Sequence, residues 1–158
     1  MPKPTALMTL CQISELLTMI VLPWLIAKIG LKRVLMLGMA VWAVRFFAFG
    51  TMNGAAVIVG LLLHGLSYGL LVTGASIYAE RLVPPAMSAR AQSFISMLIF
   101  GVGMFLGAHV AGFTGEAYRI EGVKMHDWAA IWGWGAAIAI VACLLFGIGG
   151  KDPSTVKE

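Results

Sequence analysis

Polar side chains that could bind a ligand or a proton interrupt the apolar stretches of this 158-residue sequence. Gln12 and Glu15 stand three residues apart near the amino terminus, and His64 and Tyr68 stand four apart further along. A carboxylate at the centre of a membrane-spanning helix costs about 2.5–3.5 kcal/mol on insertion scales. A ligand, a proton or an ion pair must offset this cost, so these residues are candidates for a functional site.

The composition indicates that these stretches do span a membrane. Hydrophobic residues make up 60% of the chain and charged residues 11%, whereas about 25% of the residues of a soluble domain are charged. The mean hydropathy is +0.93. We therefore predict an integral membrane protein of the all-α class, since lipid leaves helices as the way to satisfy the backbone of long apolar runs.

Five apolar runs are long enough to cross a bilayer. We predict transmembrane helices over residues 5–29, 34–49, 55–83, 86–113 and 128–148, forming a single incomplete transmembrane domain over 1–158. The first run is too long for a signal peptide, and its polar residues interrupt it. Pro23 is expected to kink this first helix, and the pair Pro84–Pro85 to end the third.

The basic residues predict the orientation. Seven fall on one side of the predicted spans: Lys28, Lys32, Arg33, Arg81, Arg90, Lys151 and Lys157. Three fall on the other: Lys3, Arg119 and Lys124. The positive-inside rule therefore places the amino terminus on the outer side of the membrane. In the second outer loop, Asp127 is expected to cap the last helix and Trp128 to lie at the interface.

Counting along the helices brings the polar residues to one depth. At 1.5 Å per residue, Glu15 lies about 15 Å below the outer surface, and His64 and Tyr68 about 13–20 Å below it. Arg45 on the second helix reaches a similar level. The pattern leaves two interpretations open: these residues form a functional site, or they have structural roles. In the structural interpretation, Glu15 and Arg45 can form an ion pair, and Gln12 and His64 can be hydrogen-bonded packing residues. Gly65 with Gly69, and Gly103 with Gly107, predict close packing of the third and fourth helices.

Several sequence motifs resemble the nucleoside:proton symporters of the major facilitator superfamily. The stretches "QISE", "LPW", "KIGLKRVLM" and "VWAVRFFAF" are similar to the eighth and ninth of the twelve helices in that family. "HGLSYG" and "SIYAERLVPPAMSARAQSF" resemble the tenth helix and the turn after it, "FGVGMFLG" resembles the eleventh and "DWAAIW" the start of the twelfth. The resemblance implies a partial carboxy-terminal bundle of that fold.

The resemblance also implies a function. It assigns Gln12 and Glu15 to the central cavity as hydrogen-bonding partners of a nucleoside, and it aligns His64 and Tyr68 with two aromatic cavity residues. The implied partners are a nucleoside, a proton, the lipid bilayer and either the missing amino-terminal half or further copies of the chain. The resemblance also implies a multi-pass protein of the bacterial inner membrane. We expect nucleoside uptake across that membrane from the complete transporter, and none from this chain alone.

Other classes of function are less well supported by the sequence. Cys11 and Cys143 show no spacing typical of a disulfide framework or a metal site, and the basic residues form no patch for nucleic acid. The stretch "GAS" at 74–76 lacks the Gly that follows the serine of a membrane hydrolase. We therefore predict no enzyme, no catalytic residues and no cofactor. A small structural or assembly membrane protein without transport activity remains the alternative.

Overall fold

In the computed structural model, which describes residues 4–120 and 125–153, five long helices dominate the chain. They are α1 (Pro4–Ile29), α2 (Leu31–Gly50), α3 (Gly54–Arg81), α4 (Pro85–Ala117) and α5 (Trp128–Gly149). Each contains an apolar stretch long enough to cross a bilayer. The all-α membrane fold with five spanning helices is thus confirmed, and the chain is a multi-pass membrane protein.

The turn between α1 and α2 is tighter than the sequence pattern predicted. Residue 34 was expected to begin the second helix, but α2 begins at Leu31 and a single residue separates the two helices. That residue, Gly30, has a φ of 84°, which a side chain other than glycine rarely adopts. The tight turn sets α1 and α2 side by side and antiparallel.

Helix α1 packs against α3 in a parallel register. Gly65 lies against the backbone of α1 near Ser14, and Gly69 lies against Thr18 one turn further along. Two cross-helix hydrogen bonds hold the same register: Cys11 Sγ donates to the Leu61 carbonyl at 3.1 Å, and Ser14 Oγ donates to the Leu62 carbonyl at 2.7 Å. The close packing predicted for the glycines of the third helix is confirmed.

Two of the helices contain π-helical turns. In α3 the turn covers Gly69–Thr73, directly after Tyr68, and in α4 it covers Met97–Gly103. A π turn inserts one residue into the helical repeat and rotates the side chains that follow it, and such turns are frequent at functional sites. In contrast, α1 continues as one helix through Pro23.

Helix α4 has few neighbours in its outer half. The residues from Gly101 to Phe113 are all exposed, and a Cβ at Gly107 would meet nothing within 4 Å. The close packing predicted for Gly103 and Gly107 is therefore wrong within the described part of the chain. This half of α4 presents its surface to lipid or to further protein.

Polar contacts define the two ends of the helix bundle. Asp127 caps α5 by accepting a hydrogen bond from the Ala130 amide at 3.0 Å, as predicted. Arg119–Ile120 pairs with Met125–His126 as a short antiparallel ladder before it. At the opposite end, Lys32 Nζ donates to the Gly147 carbonyl at 2.8 Å. The α1–α2 turn and the carboxy-terminal end of α5 therefore lie on the same side of the bundle.

Candidate functional site

Arg45 lies in the interior of the bundle, on α2. Only 8% of its surface is exposed. Its guanidinium carbon lies 5.2 Å, 5.0 Å and 5.5 Å from the ring centroids of Trp42, Phe46 and Phe49. These rings belong to the same helix, at spacings that put them around Arg45, and their π faces stabilise a cation within about 6 Å. Sequence reasoning missed this aromatic cage, although the spacing of its members carries the signal.

The Arg45 side chain reaches α3 at His64. Arg45 Nη1 is in direct contact with His64 Nδ1. One helical turn further, the ring of Tyr68 lies 6.0 Å from that of His64, centroid to centroid, at a tilted angle of 46°. The guanidinium, the imidazole and the phenol thus form one continuous row from α2 along α3.

The ion pair between Glu15 and Arg45, which the sequence left open as an interpretation, is not formed between these two described residues. Both residues are described, yet no salt bridge within 4.0 Å joins them, whereas Arg119 and Glu116 form one at 3.7 Å. Helix α3 supplies the partner of Arg45 instead, because His64 faces α2 at the level of the aromatic cage. The depth estimate along each helix could not assign the partners, because it carries no information on which helices are neighbours.

Glu15 lies next to this row, on α1. The residue after His64, Gly65, lies so close to α1 that a Cβ there would come within 2.5 Å of the Glu15 amide nitrogen. Glu15 itself is half-buried and Gln12, one turn away, is exposed. The parallel register of α1 and α3 therefore places Glu15 beside the residue after His64, with Gln12 one turn away along α1 and Tyr68 one turn away along α3. That these four residues form one binding site stays a prediction.

These four side chains offer complementary chemistry. A carboxylate accepts hydrogen bonds from hydroxyl groups, an amide both donates and accepts, and an imidazole offers one donor and one acceptor when neutral. The Tyr68 ring adds an apolar face beside them. Such a surface suits a ligand that carries hydroxyl groups and a planar ring. The binding role of each residue remains a prediction.

Two grooves on the described part of the molecule are lined by apolar residues and do not include His64 or Tyr68. One, of about 500 Å³, lies between α1 and α3 and is lined almost wholly by aliphatic side chains, with Ser14 and Thr18. Another, of about 420 Å³, lies among α2, α4 and α5 and is lined by apolar residues and Thr114. Because a ligand site needs convergent polar groups, both are better suited to acyl chains or to a further helix.

A metal centre finds no support in the described residues. Within residues 4–120 and 125–153, no three His, Cys, Asp or Glu side chains are grouped so that they could hold a metal ion. Cys11 and Cys143 are both free, and the thiol of each donates to a backbone carbonyl.

The sequence is similar to those of several bacterial transporters. YegT from Escherichia coli, provisionally named a nucleoside transporter, is 34% identical over 92% of this chain. The nucleoside permease NupG of the same species is 31% identical over 89% of the chain, and its xanthosine permease 26% identical over 98%. The chain spans 34–38% of the length of these relatives.

The three-dimensional structure matches the same group. The crystal structure of the nucleoside transporter NupG superposes with a TM-score of 0.80 at 27% identity, covering 96% of this chain and 37% of that one. The sequence profile of the nucleoside H+ symporter family matches residues 1–155, which is almost the entire chain. The chain therefore belongs to the nucleoside H+ symporter family.

Proposed function

We propose that this chain forms the carboxy-terminal part of a nucleoside:proton symporter, in which Gln12 and Glu15 hydrogen-bond the ribose hydroxyls. The observation that carries this proposal is the close parallel packing of α1 and α3, which puts Glu15 beside Gly65, the residue after His64, while the Tyr68 ring lies 6.0 Å from the His64 ring. The family membership supports the same function, and the relatives bear the names of transporters and permeases. The role is that of a transporter component, without enzymatic activity.

The chemistry of Glu15 fits such a role. An ionised carboxylate accepts two hydroxyl hydrogen bonds, and two neighbouring hydroxyl groups of a ribose can supply them. A half-buried carboxylate in a membrane is costly, and the hydrogen bonds from a bound sugar would offset part of that cost. The Tyr68 ring is available to stack on the nucleobase.

The site on this chain is one wall of a cavity. Secondary transporters build the substrate site between two bundles that rock about it near the midplane of the membrane. The matched relatives extend over nearly three times the length of this chain. Transport therefore requires further helices, equivalent to those in the part of the relatives that this chain does not match.

The experiment uses a chimaera in which this chain replaces the matching segment of Escherichia coli NupG. The chimaera is expressed in cells that lack their own nucleoside transporters, and uptake of labelled uridine and adenosine is measured with and without a proton gradient. We expect gradient-dependent uptake, with competition by unlabelled ribonucleosides and much weaker competition by 2′,3′-dideoxynucleosides.

Two results would contradict the proposal. Equal competition by ribonucleosides and dideoxynucleosides would remove the ribose-binding role of Gln12 and Glu15. A chimaera that reaches the membrane in normal amounts, retains its fold and shows no nucleoside uptake would favour a structural or assembly role for this chain.

A further inference from the structure

We infer that Arg45 is a positioning residue that holds His64 in a single tautomer, with its proton on Nε2, so that His64 presents an N–H donor to the ligand. The inference rests on the proposed function for its ligand, and on the contact between Arg45 and His64 for its chemistry. Nothing in the resemblance to other transporters assigns a role to Arg45.

The donor and acceptor roles in this contact follow from the chemistry of the two groups. A guanidinium has five N–H donors and no acceptor, and it stays protonated in proteins. Arg45 Nη1 must therefore donate, and His64 Nδ1 must accept through its lone pair. A neutral imidazole that accepts at Nδ1 carries its proton on Nε2. A doubly protonated ring would instead set an N–H group against the guanidinium.

The surroundings of Arg45 keep the guanidinium in place. The rings of Trp42, Phe46 and Phe49 surround it at 5.0–5.5 Å, and it is almost fully buried. A buried guanidinium enclosed by aromatic rings has few alternative rotamers. Arg45 therefore loses less side-chain entropy on contacting His64 than a surface arginine would. The contact with His64 is therefore preorganised by the structure of α2.

The Nε2 edge of His64 remains available. Among the described residues, Nε2 has no hydrogen-bond partner, and the side chain is half-buried rather than enclosed. The Tyr68 ring lies beside the imidazole, with 6.0 Å between the ring centroids. A fixed N–H donor at this place can form a hydrogen bond only with an acceptor. It therefore selects for an acceptor atom on the nucleoside.

His109 provides an internal contrast. Its Nδ1 lies 2.9 Å from the Phe105 carbonyl oxygen. Because a carbonyl can only accept, His109 must carry its proton on Nδ1. The structure thus assigns opposite tautomers to two histidines of the same chain.

The first test measures the tautomers directly and does not depend on transport. The 158-residue chain is labelled with ¹⁵N-histidine, reconstituted in lipid bilayers, and studied by solid-state NMR at neutral pH, with His64→Gln and His109→Gln for assignment. We expect a pyridine-type Nδ1 and a pyrrole-type Nε2 at His64, and the reverse at His109. A pyrrole-type Nδ1 or a doubly protonated ring at His64 would overturn the inference.

The second test varies Arg45. Arg45→Met removes the donor and retains an apolar stem, and Arg45→Lys retains a cationic N–H donor at the end of the side chain. We expect His64 to populate both tautomers in Arg45→Met and to keep the Nε2–H form in Arg45→Lys. A His64 that keeps the Nε2–H form in Arg45→Met would show that Arg45 does not position it.

The third test connects the tautomer to the ligand in the NupG chimaera. Arg45→Met should raise the KM for uridine by up to about tenfold, the value of one hydrogen bond, with a smaller change in kcat. Arg45→Lys should restore most of the affinity. An unchanged KM in Arg45→Met, with mixed tautomers, would refute the donor role of His64. If the chimaera transports nothing, the proposed function fails while the NMR result on Arg45 and His64 still stands.

Discussion

Gly65 of α3 and Ser14 of α1 are packed so closely that a Cβ added to Gly65 would lie 2.8 Å from the Ser14 Cβ. This contact sets the distance and the register between the two helices that carry Gln12, Glu15, His64 and Tyr68. Small residues permit such close approach, and the Ser14 hydroxyl uses it to reach the Leu62 carbonyl across the helix interface.

The first prediction concerns this interface. Gly65→Ala should destabilise the chain by about 1–3 kcal/mol, because the new methyl group forces α1 and α3 apart. The matched control is Gly107→Ala, where a Cβ would meet nothing within 4 Å. Thermal unfolding of both variants in the same lipid or detergent measures the effect. Equal midpoints for the two variants would mean that α1 and α3 do not pack at Gly65.

The second prediction concerns the carboxylate. In the NupG chimaera, Glu15→Gln should reduce nucleoside affinity about tenfold to a hundredfold, because a charge-assisted hydrogen bond contributes about 1.5–3 kcal/mol. The same substitution at Glu116, whose side chain is 78% exposed, serves as the control. Unchanged uptake in Glu15→Gln would assign Glu15 to a structural role.

The third prediction concerns orientation. Arg33 lies in the first turn of α2 and Arg119 in the hairpin before α5, and both side chains are exposed. Single cysteines at these positions, with Cys11 and Cys143 replaced, should react oppositely with an impermeant thiol reagent in intact cells. Position 119 should be labelled and position 33 protected until the membrane is opened. The reverse pattern would invert the topology that the positive-inside rule predicts.

The fourth prediction concerns the 158-residue chain by itself. Gln12 is exposed and Glu15 is half-buried in this chain, and under the proposed function they form only one wall of a cavity. Purified and reconstituted in liposomes with an inward proton gradient, it should take up no more labelled uridine than empty liposomes do. Gradient-driven accumulation would require several copies of the chain to rebuild the cavity.

The exposed outer half of α4 bears on the same experiment. A Glu15 carboxylate and an uncovered apolar helix both favour association in a bilayer. Cross-linking of the reconstituted chain should therefore detect oligomers. If the chain stays monomeric in the bilayer and accumulates no nucleoside, the absence of transport is explained by the open site alone.

The sequence by itself determined the membrane class and the five helices, and it predicts a common depth for the polar residues. These properties depend on local quantities: a run of about 20 apolar residues must form a helix in lipid, and each residue advances that helix by 1.5 Å. The cap at Asp127 is likewise local, since its side chain reaches an amide three residues away. Such features can be counted along the chain without knowing which helices are neighbours.

Only the tertiary structure decided which side chains meet at that depth. Arg45 and Glu15 lie at one level, but the rotation of α2 about its own axis directs the guanidinium to His64. The two glycine pairs look alike in sequence, yet Gly65 and Gly69 contact α1 while Gly107 contacts nothing. Depth follows from position along one helix, whereas partners depend on the rotation and lateral order of all helices, which are set by long-range packing.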